Sequence, residues 1–281
     1  LESGEEENNV FEINTSENNT SESLEKTEEV FVNEDKTVVV IDAGHGKSSS
    51  QMSDEEKIEA GYEYNSNTGN WGEWRHYKNG TFGENCNGTG CTGLCPENSS
   101  CWYSMGNGDR DTEPEITLNN ALAAKKYLEQ MGYEVRMTRT SNDENPSMDK
   151  RVSYCFPDGD ITASPDAAVY VCIHSNAGGG SGTSYISLEE PYTQNFIDDE
   201  YVSKSNRLGD ILNTKVSNAT GLSQNSPISS PYLILFNKCP VPIAYLEIGF
   251  FDNQSDLEIL QSSSDEIGKA IAEGIDEYLK N

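Results

Sequence analysis

The chain has 281 residues and a formal net charge of -29, from 48 acidic and 19 basic side chains. This balance excludes a basic surface for nucleic acid or for an anionic membrane, because few cations are available to replace the counterions of phosphates. No apolar run approaches the ~20 residues that span a bilayer. We therefore expect a soluble protein with no nucleic-acid partner and no membrane span.

The chain begins with an acidic segment, residues 1–36, in which Glu, Asn, Ser and Thr greatly outnumber apolar residues. Such a segment cannot bury enough surface to offset the entropy lost on ordering, so we predict a disordered linker. Because the first residue is Leu1 rather than Met, we expect that an export signal or an anchor preceded it. Residues 37–281 are predicted to form a single domain.

Strands and helices alternate along this domain. The first strand is "TVVVID" (37–42), and a helix from Glu115 to Gly132 precedes the strand "YEVRMTR". The later predicted elements are a strand at 167–177, a helix at 201–221, the strands "YLILF" and "VPIAYLEIGFFDN", and the closing helix "DEIGKAIAEGIDEYLKN". This alternation predicts an α/β fold with a twisted, mostly parallel central sheet flanked by helices.

A polar tract at about residues 48–111 interrupts the alternation and is predicted to be an insertion. The tract holds all three tryptophans and four of the seven cysteines: Trp71, Trp74, Trp102, Cys86, Cys91, Cys95 and Cys101. The cysteine spacing lacks the tight C-x2-C pairs usual in zinc sites, so two disulfides are favoured over free thiols and over a structural zinc ion. We interpret the tract as a disulfide-linked small core. The alternative is a surface whose exposed aromatic rings bind sugar.

Three predicted strands end in residues that can carry chemistry. They are His45 in "IDAGHG", His174 in "VCIHSNA" and Glu247 in "AYLEIGF". The carboxyl ends of parallel strands meet at one edge of a sheet, where α/β proteins bind ligands, so these side chains are expected to lie close together. Two histidines and one carboxylate bind zinc and leave one position open for water.

The third metal ligand is expected to be Glu115, because the dipole of the predicted helix favours a carboxylate at its start. Its competitors are Glu113, Asp109, Asp111 and His76. Glu247 is assigned a separate role as the base that accepts a proton from water. A strand-end histidine can also be a simple turn residue, and Glu247 a buried ion-pair partner, but their joint placement favours a metal site.

Polar residues around the first histidine are expected to support the site. Asp42 is interpreted as a residue that orients His45, with a turn-forming role as the alternative. Arg139 and Arg151 are interpreted as partners in structural ion pairs.

Four blocks of the sequence carry a family resemblance: "VVVIDAGHG", "EITLNNALAAKKYLEQMGYEVRMTR", "YVCIHSNA" and "VPIAYLEIGFFDNQSDLEIL". In this order they resemble the zinc-dependent N-acetylmuramoyl-L-alanine amidases of the type 3 family, which are bacterial cell-wall hydrolases. The resemblance extends from Thr37 through the last helix and excludes most of residues 48–111.

The resemblance implies one Zn²⁺ ion held by His45, Glu115 and His174, with Glu247 as the catalytic residue. It favours Glu115 over Glu113 because the family's glutamate ligand opens a helix with an asparagine four residues later, and Asn119 fits that spacing.

The resemblance also implies a reaction, the hydrolysis of the amide between N-acetylmuramic acid and L-alanine in peptidoglycan. The protein would then be an extracellular or wall-associated autolysin, expected to act as a monomer. Two alternatives stay open: a non-catalytic peptidoglycan-binding module on the same scaffold, and a zinc peptidase or deacylase for another amide.

Overall fold

The computed structural model describes residues 36–74, 102–105, 112–188, 198–229 and 233–281. Residues Lys36–Asn281 belong to one compact unit. The predicted linker up to residue 35, His76 and the four clustered cysteines lie outside the described residues. The disorder of the linker, the disulfides among the four cysteines and the ligand role of His76 stay predictions.

The described residues form strands and helices in alternation. The strands are β1 (Val38–Ala43), β2 (Glu63–Asn65), β3 (Asn70–Trp74), β4 (Trp102–Ser104), β5 (Glu134–Met137), β6 (Ala167–Asn176), β7 (Ser184–Ser187), β8 (Ile228–Ser229) and β9 (Ile243–Phe250). The helices are α1 (Asp54–Glu59), α2 (Glu113–Gln130), α3 (Met148–Ser153), α4 (Asp199–Thr220), α5 (Ile234–Lys238), α6 (Gln254–Ser262) and α7 (Ser264–Lys280).

A six-stranded sheet in the order β5-β1-β6-β9-β7-β8 forms the centre of the domain. The four strands from β5 to β9 run parallel, whereas β7 pairs antiparallel with β9 and parallel with β8. The predicted α/β fold with a mostly parallel sheet is therefore confirmed. The carboxyl ends of β1, β6 and β9 lie side by side, which places three polar turns at one edge.

The central strands are buried on both faces, as their continuous apolar runs predicted. In β1, Val39 and Ile41 belong to one core cluster while Val38 and Val40 belong to a second. The first cluster is completed by α2, α4 and α7, and the second by α3 and α5. Burying a side chain such as Ile41 stabilises the fold by about 1.5–3 kcal/mol. Among the described helices, none is long and apolar enough to cross a membrane.

The described part of the predicted insertion contains α1 and a separate antiparallel sheet of three strands, β2-β3-β4. Trp102 is buried, and its ring nitrogen donates to Asn70 Oδ1 at 2.8 Å. Trp71 is half-buried and meets the ring of Tyr64 edge-on. This region therefore contains ordered secondary structure with its own aromatic contacts.

Two local predictions differ from the structure. The segment "YLILF" was predicted as a strand, but α5 begins within it at Ile234 and continues to Lys238. A short apolar run fits a buried helix as well as a strand, and here Leu235 and Phe236 fill the second core cluster from a helix. The second difference is the start of α2, which lies at Glu113 rather than Glu115.

Candidate metal centre

The turn after β1 presents His45 at the carboxyl edge of the sheet. His45 has a backbone φ of 59°, an uncommon value for a residue other than glycine. The preceding Gly44 donates its N–H to the carbonyl of Ile173 at 2.9 Å, which ties the turn to β6. Thr117 of α2 donates its hydroxyl to the Gly44 carbonyl at 2.8 Å. The turn is thus held from the neighbouring strand and from the helix above it.

Two buried arginines bind the carbonyl groups of this turn. Arg139 donates to the carbonyls of Ala43 and Gly44 at 2.9 and 2.8 Å. Arg151 donates to the carbonyls of Ala43 and His45 at 3.0 and 2.6 Å. Three consecutive carbonyls therefore accept charge-assisted hydrogen bonds. These bonds offset the cost of the left-handed conformation at His45, which is about 1–3 kcal/mol.

Asp42 acts on the turn through Arg151. Its Oδ1 atom accepts from Arg151 Nη1 and from Thr138 Oγ1, each at 2.5 Å, and its Oδ2 atom accepts from the Cys172 thiol at 3.0 Å. Burial raises the pKa of Asp42, but the charge of Arg151 and these hydrogen bonds outweigh it and bring the pKa to about 2. Arg151 was interpreted as an ion-pair partner, and its partner in the structure is the buried carboxylate of Asp42.

Glu113, the first residue of α2, lies between the two histidines. Its Oε1 atom is 3.1 Å from His174 Nδ1, and its Oε2 atom is 3.1 Å from His45 Nε2. The backbone N–H of Ser175 donates to Oε1 at 3.0 Å. One potential ligand atom from each of the three side chains lies within 4.8 Å of the others.

The ring of His174 is fixed from two sides. It stacks on the Tyr245 ring with a centroid separation of 4.4 Å and an interplanar angle of 10°. The His45 ring meets it edge-on at 4.7 Å. Because Tyr245 lies two residues before Glu247 on β9, both side chains belong to the same face of the strand.

The electrostatics of the cluster favour the protonation states that bind metal. Burial raises the pKa of Glu113, but the hydrogen bonds to His174 and His45 outweigh it and hold this pKa well below its usual range. Burial lowers the pKa of His174, against the opposing effect of Glu113. The result is an ionised carboxylate beside a neutral imidazole, the forms in which these groups are metal ligands.

The structure brings Glu113 to the two histidines, whereas the sequence predicted Glu115 there. Glu115 is exposed, and the carboxylate placed against the histidines is that of Glu113. Residues two apart on an α-helix point about 200° apart around its axis, so the two glutamates cannot share one direction. The sequence did contain a signal for a helix that begins at Glu113. Thr112 is a residue type favoured as an N-cap, and Pro114 is a residue type favoured in the first turn.

Glu247 lies on β9 directly opposite His174 in the parallel register of β6 and β9. It also pairs in register with Ser184 of β7. Its side chain is half-buried, and it is not a member of the cluster formed by His45, Glu113 and His174. This position leaves it adjacent to the candidate site without making it part of the ligand set.

The donor set fits a divalent transition-metal ion. Two imidazoles and one carboxylate are the side chains of open catalytic zinc sites, in which a fourth position is left for water. His45, Glu113 and His174 meet this requirement within the described residues. Two further residues, for which the sequence predicted no role at the site, contribute to it: Gly44, which leaves room for the His174 ring, and Tyr245, which stacks on it.

Comparison with known proteins agrees with this architecture. Residues 39–277 match the family Amidase_3, described as N-acetylmuramoyl-L-alanine amidase. A search of curated proteins gave no match.

Solved structures of amidases share the fold. The catalytic domain of CwlV, an N-acetylmuramoyl-L-alanine amidase from Bacillus (Paenibacillus) polymyxa var. colistinus, is 20% identical and has a TM-score of 0.53; the match covers 87% of this chain and 98% of that chain. The amidase Ami1 from Mycobacterium abscessus is 20% identical with a TM-score of 0.55, over 86% of this chain and 98% of that chain. Similarity at this level of identity establishes the fold alone.

Proposed function

We propose, from the premise that this chain belongs to the N-acetylmuramoyl-L-alanine amidase family Amidase_3, that its hydrolase activity depends on one Zn²⁺ ion. The bond cleaved is the amide between the lactyl group of N-acetylmuramic acid and L-alanine of the stem peptide. The observation that carries the proposal is the convergence of His45, Glu113 and His174 at the carboxyl edge of the sheet.

His45, Glu113 and His174 would hold the ion. When bound, it supplies Lewis acidity, which makes a water molecule more acidic and polarises the amide carbonyl. The carboxylate of Glu113 balances part of the ion's charge, and the Ser175 N–H orients that carboxylate. The buried arginines hold the His45 turn through the carbonyl groups of Gly44 and His45.

Glu247 is proposed as the general base. A carboxylate at this position takes a proton from the attacking water and passes it to the departing alanine nitrogen. Its support is positional: Glu247 lies opposite His174 in the sheet and belongs to the same strand face as Tyr245, which touches the His174 ring. It is also not a member of the cluster formed by the three candidate metal ligands.

We further propose that the protein acts on the cell wall outside the cytoplasm, where peptidoglycan is located. The family to which the chain belongs consists of enzymes for this polymer. The large acidic excess of the chain disfavours binding to the negatively charged phosphates of nucleic acid. The partner that we propose, from the family match, is the peptidoglycan of the wall.

The test is product analysis of purified muropeptides by mass spectrometry, with and without a chelator. We expect a free lactyl carboxyl group and a peptide with an L-alanine amino terminus. Chelation should abolish these products, and Zn²⁺ should restore them. Binding of peptidoglycan without cleavage would indicate a recognition module, and cleavage of another amide would indicate a different hydrolase. Restoration by another divalent ion but not by Zn²⁺ would contradict the choice of metal.

A further inference from the structure

A buried ion pair joins the described part of the insertion to the main domain. Glu73 of β3 is 2% exposed, and Lys238 at the end of α5 is fully buried. The Lys238 ammonium lies 3.1 Å from Glu73 Oε2 and 2.6 Å from Asp149 Oδ1. Charges in such surroundings are costly unless they are paired and hydrogen-bonded, so this ion pair holds the described part of the insertion against the main domain.

Glu73 also holds the start of α3. Its Oε1 atom accepts the backbone N–H of Met148 at 2.8 Å, and its Oε2 atom accepts that of Asp149 at 3.1 Å. These are N–H groups of the first turn of the helix, which have no partner within the helix itself. The carboxylate from β3 therefore satisfies donors of α3.

Two more groups of the insertion contact the same short stretch. The carbonyl of Ala60 accepts the backbone N–H of Ser147 at 2.8 Å. The hydroxyl of Tyr62 donates to the carbonyl of Pro146 at 3.4 Å. Together with Glu73, these contacts bring the insertion against four consecutive residues, 146–149.

The same stretch positions Arg151. The backbone N–H of Arg151 donates to the Ser147 carbonyl at 2.8 Å, and its Nε atom donates to the Pro146 carbonyl at 2.9 Å. From there the guanidinium reaches the His45 carbonyl at 2.6 Å. A continuous series of hydrogen bonds thus connects the carboxylate of Glu73 with the turn that carries His45.

We propose that Glu73 is a positioning residue for the metal centre. Docking of the insertion through Glu73 fixes the start of α3, α3 fixes Arg151, and Arg151 fixes the backbone of His45. Metal affinity and turnover therefore depend on the docked insertion, although Glu73 touches neither ligand nor substrate. The inference rests on the proposed function, because it takes the cluster of His45, Glu113 and His174 as the zinc site.

The first test is Glu73→Gln, which keeps the size of the side chain but removes its charge and one acceptor atom. Glu55→Gln is the matched control, because Glu55 is exposed on α1 of the same insertion. We expect Glu73→Gln to weaken Zn²⁺ binding about tenfold, a change typical of residues that support metal ligands. The value of kcat should fall with little change in KM, and Glu55→Gln should match the wild-type protein. A folded Glu73→Gln protein with unchanged Zn²⁺ affinity and kcat would overturn the inference.

A second variant protects the test against loss of folding. Glu73→Gln removes one of the two carboxylates that lie against the Lys238 ammonium. The double variant Glu73→Gln/Lys238→Met removes both charges of the buried Glu73–Lys238 pair. It is expected to fold and still to bind Zn²⁺ about tenfold more weakly than the wild-type protein. Unchanged Zn²⁺ affinity in this folded variant would overturn the inference.

A third measurement needs no variant. Coupling between two sites is reciprocal, so Zn²⁺ binding must stabilise the docked insertion if docking supports Zn²⁺ binding. In the full wild-type chain, Zn²⁺ should slow hydrogen exchange at the backbone amides of Met148 and Asp149, which donate to Glu73. Zn²⁺-independent exchange at these amides would contradict the coupling.

Failure of the inference can be distinguished from failure of the proposed function. A wild-type protein that neither binds Zn²⁺ nor releases amidase products would overturn both. A wild-type protein that does both, alongside an equally competent Glu73→Gln variant, would overturn the positioning role alone.

Discussion

Gly44 lies so close to His174 that a Cβ atom on Gly44 would come within 2.5 Å of Cε1 and Nε2 of the imidazole. Its backbone φ is not in the left-handed region, so the requirement for glycine is steric. The ring of His174 occupies the space that any other side chain would need. The close approach of β1 to β6 at this point is therefore part of the candidate metal centre.

Substituting Gly44→Ala should displace His174 and weaken Zn²⁺ binding by about 10–100-fold, the range seen when support for a metal ligand is lost. Metal titration of the chelator-treated protein measures the effect, with circular dichroism to confirm the fold. Gly69→Asn is a suitable control, since a Cβ at Gly69 would meet nothing within 4 Å and asparagine tolerates its φ of 71°. A Gly44→Ala protein with wild-type Zn²⁺ affinity would show that metal binding does not depend on the observed position of the His174 ring.

Substituting Glu247→Gln should abolish most turnover and leave Zn²⁺ binding intact. The amide keeps the shape of the side chain but cannot accept a proton, and loss of a general base lowers kcat by about 10²–10⁴-fold. The measurement is kcat on muropeptides together with the zinc content of the purified protein. Glu266→Gln, an exposed position on α7, is the control. Full turnover by Glu247→Gln would remove Glu247 from the mechanism.

The stacked ring of Tyr245 gives a third prediction. Tyr245→Phe keeps the flat surface that contacts His174, so its Zn²⁺ affinity should equal that of the wild-type protein. Tyr245→Leu loses the stacking and frees the imidazole to rotate, so its Zn²⁺ affinity should fall. If Tyr245→Phe were the weaker of the two, the hydroxyl group rather than the ring face would be the important contact.

The sequence predicted the strands well where apolar residues form a continuous run. The strands that end near His45, His174 and Glu247 could be recognised because a strand buried on both faces needs an unbroken apolar run. Their common edge followed from the parallel sheet, which alternating strands and helices predict. Helix α7 was equally clear, because its buried residues repeat at helical spacing.

The choice between Glu113 and Glu115 depended on a helix boundary, and boundaries are poorly specified by local patterns. An error of two residues there selects a side chain on the opposite side of the helix. The role of Glu73 could not be predicted for another reason. Its partners, Lys238 and Met148, are distant in sequence and come together only through tertiary packing.

The ion pair of Asp42 with Arg151 predicts a specific dependence of stability on pH. The pKa of Asp42 is lowered from 3.8 to about 2 in the folded chain. Its ionised form therefore stabilises the fold fully above its unfolded pKa, and this contribution is lost as the pH falls through about 2. The shift corresponds to about 2 kcal/mol of unfolding free energy.

Asp42→Asn isolates this contribution, because the other carboxyl groups titrate in both proteins. Urea unfolding with a chelator present should show the variant to be less stable at about pH 5, since it leaves the buried Arg151 unpaired. The difference in unfolding free energy between the variant and the wild-type protein should shrink by about 2 kcal/mol as the pH is lowered to the folded pKa of Asp42. A difference that did not change with pH would mean that the pKa of Asp42 is the same in the folded and the unfolded chain.

The most direct test of the metal centre compares Glu113→Gln with Glu115→Gln in the same chain. Both substitutions remove one negative charge from the first turn of α2, so their effects on the charge at the start of the helix are matched. The measurement is bound zinc per chain after reconstitution, with muropeptide hydrolysis as the second readout. Glu113→Gln should lose both, and Glu115→Gln should retain wild-type zinc content and activity. Loss of zinc in Glu115→Gln with retention in Glu113→Gln would contradict the proposed ligand set of His45, Glu113 and His174.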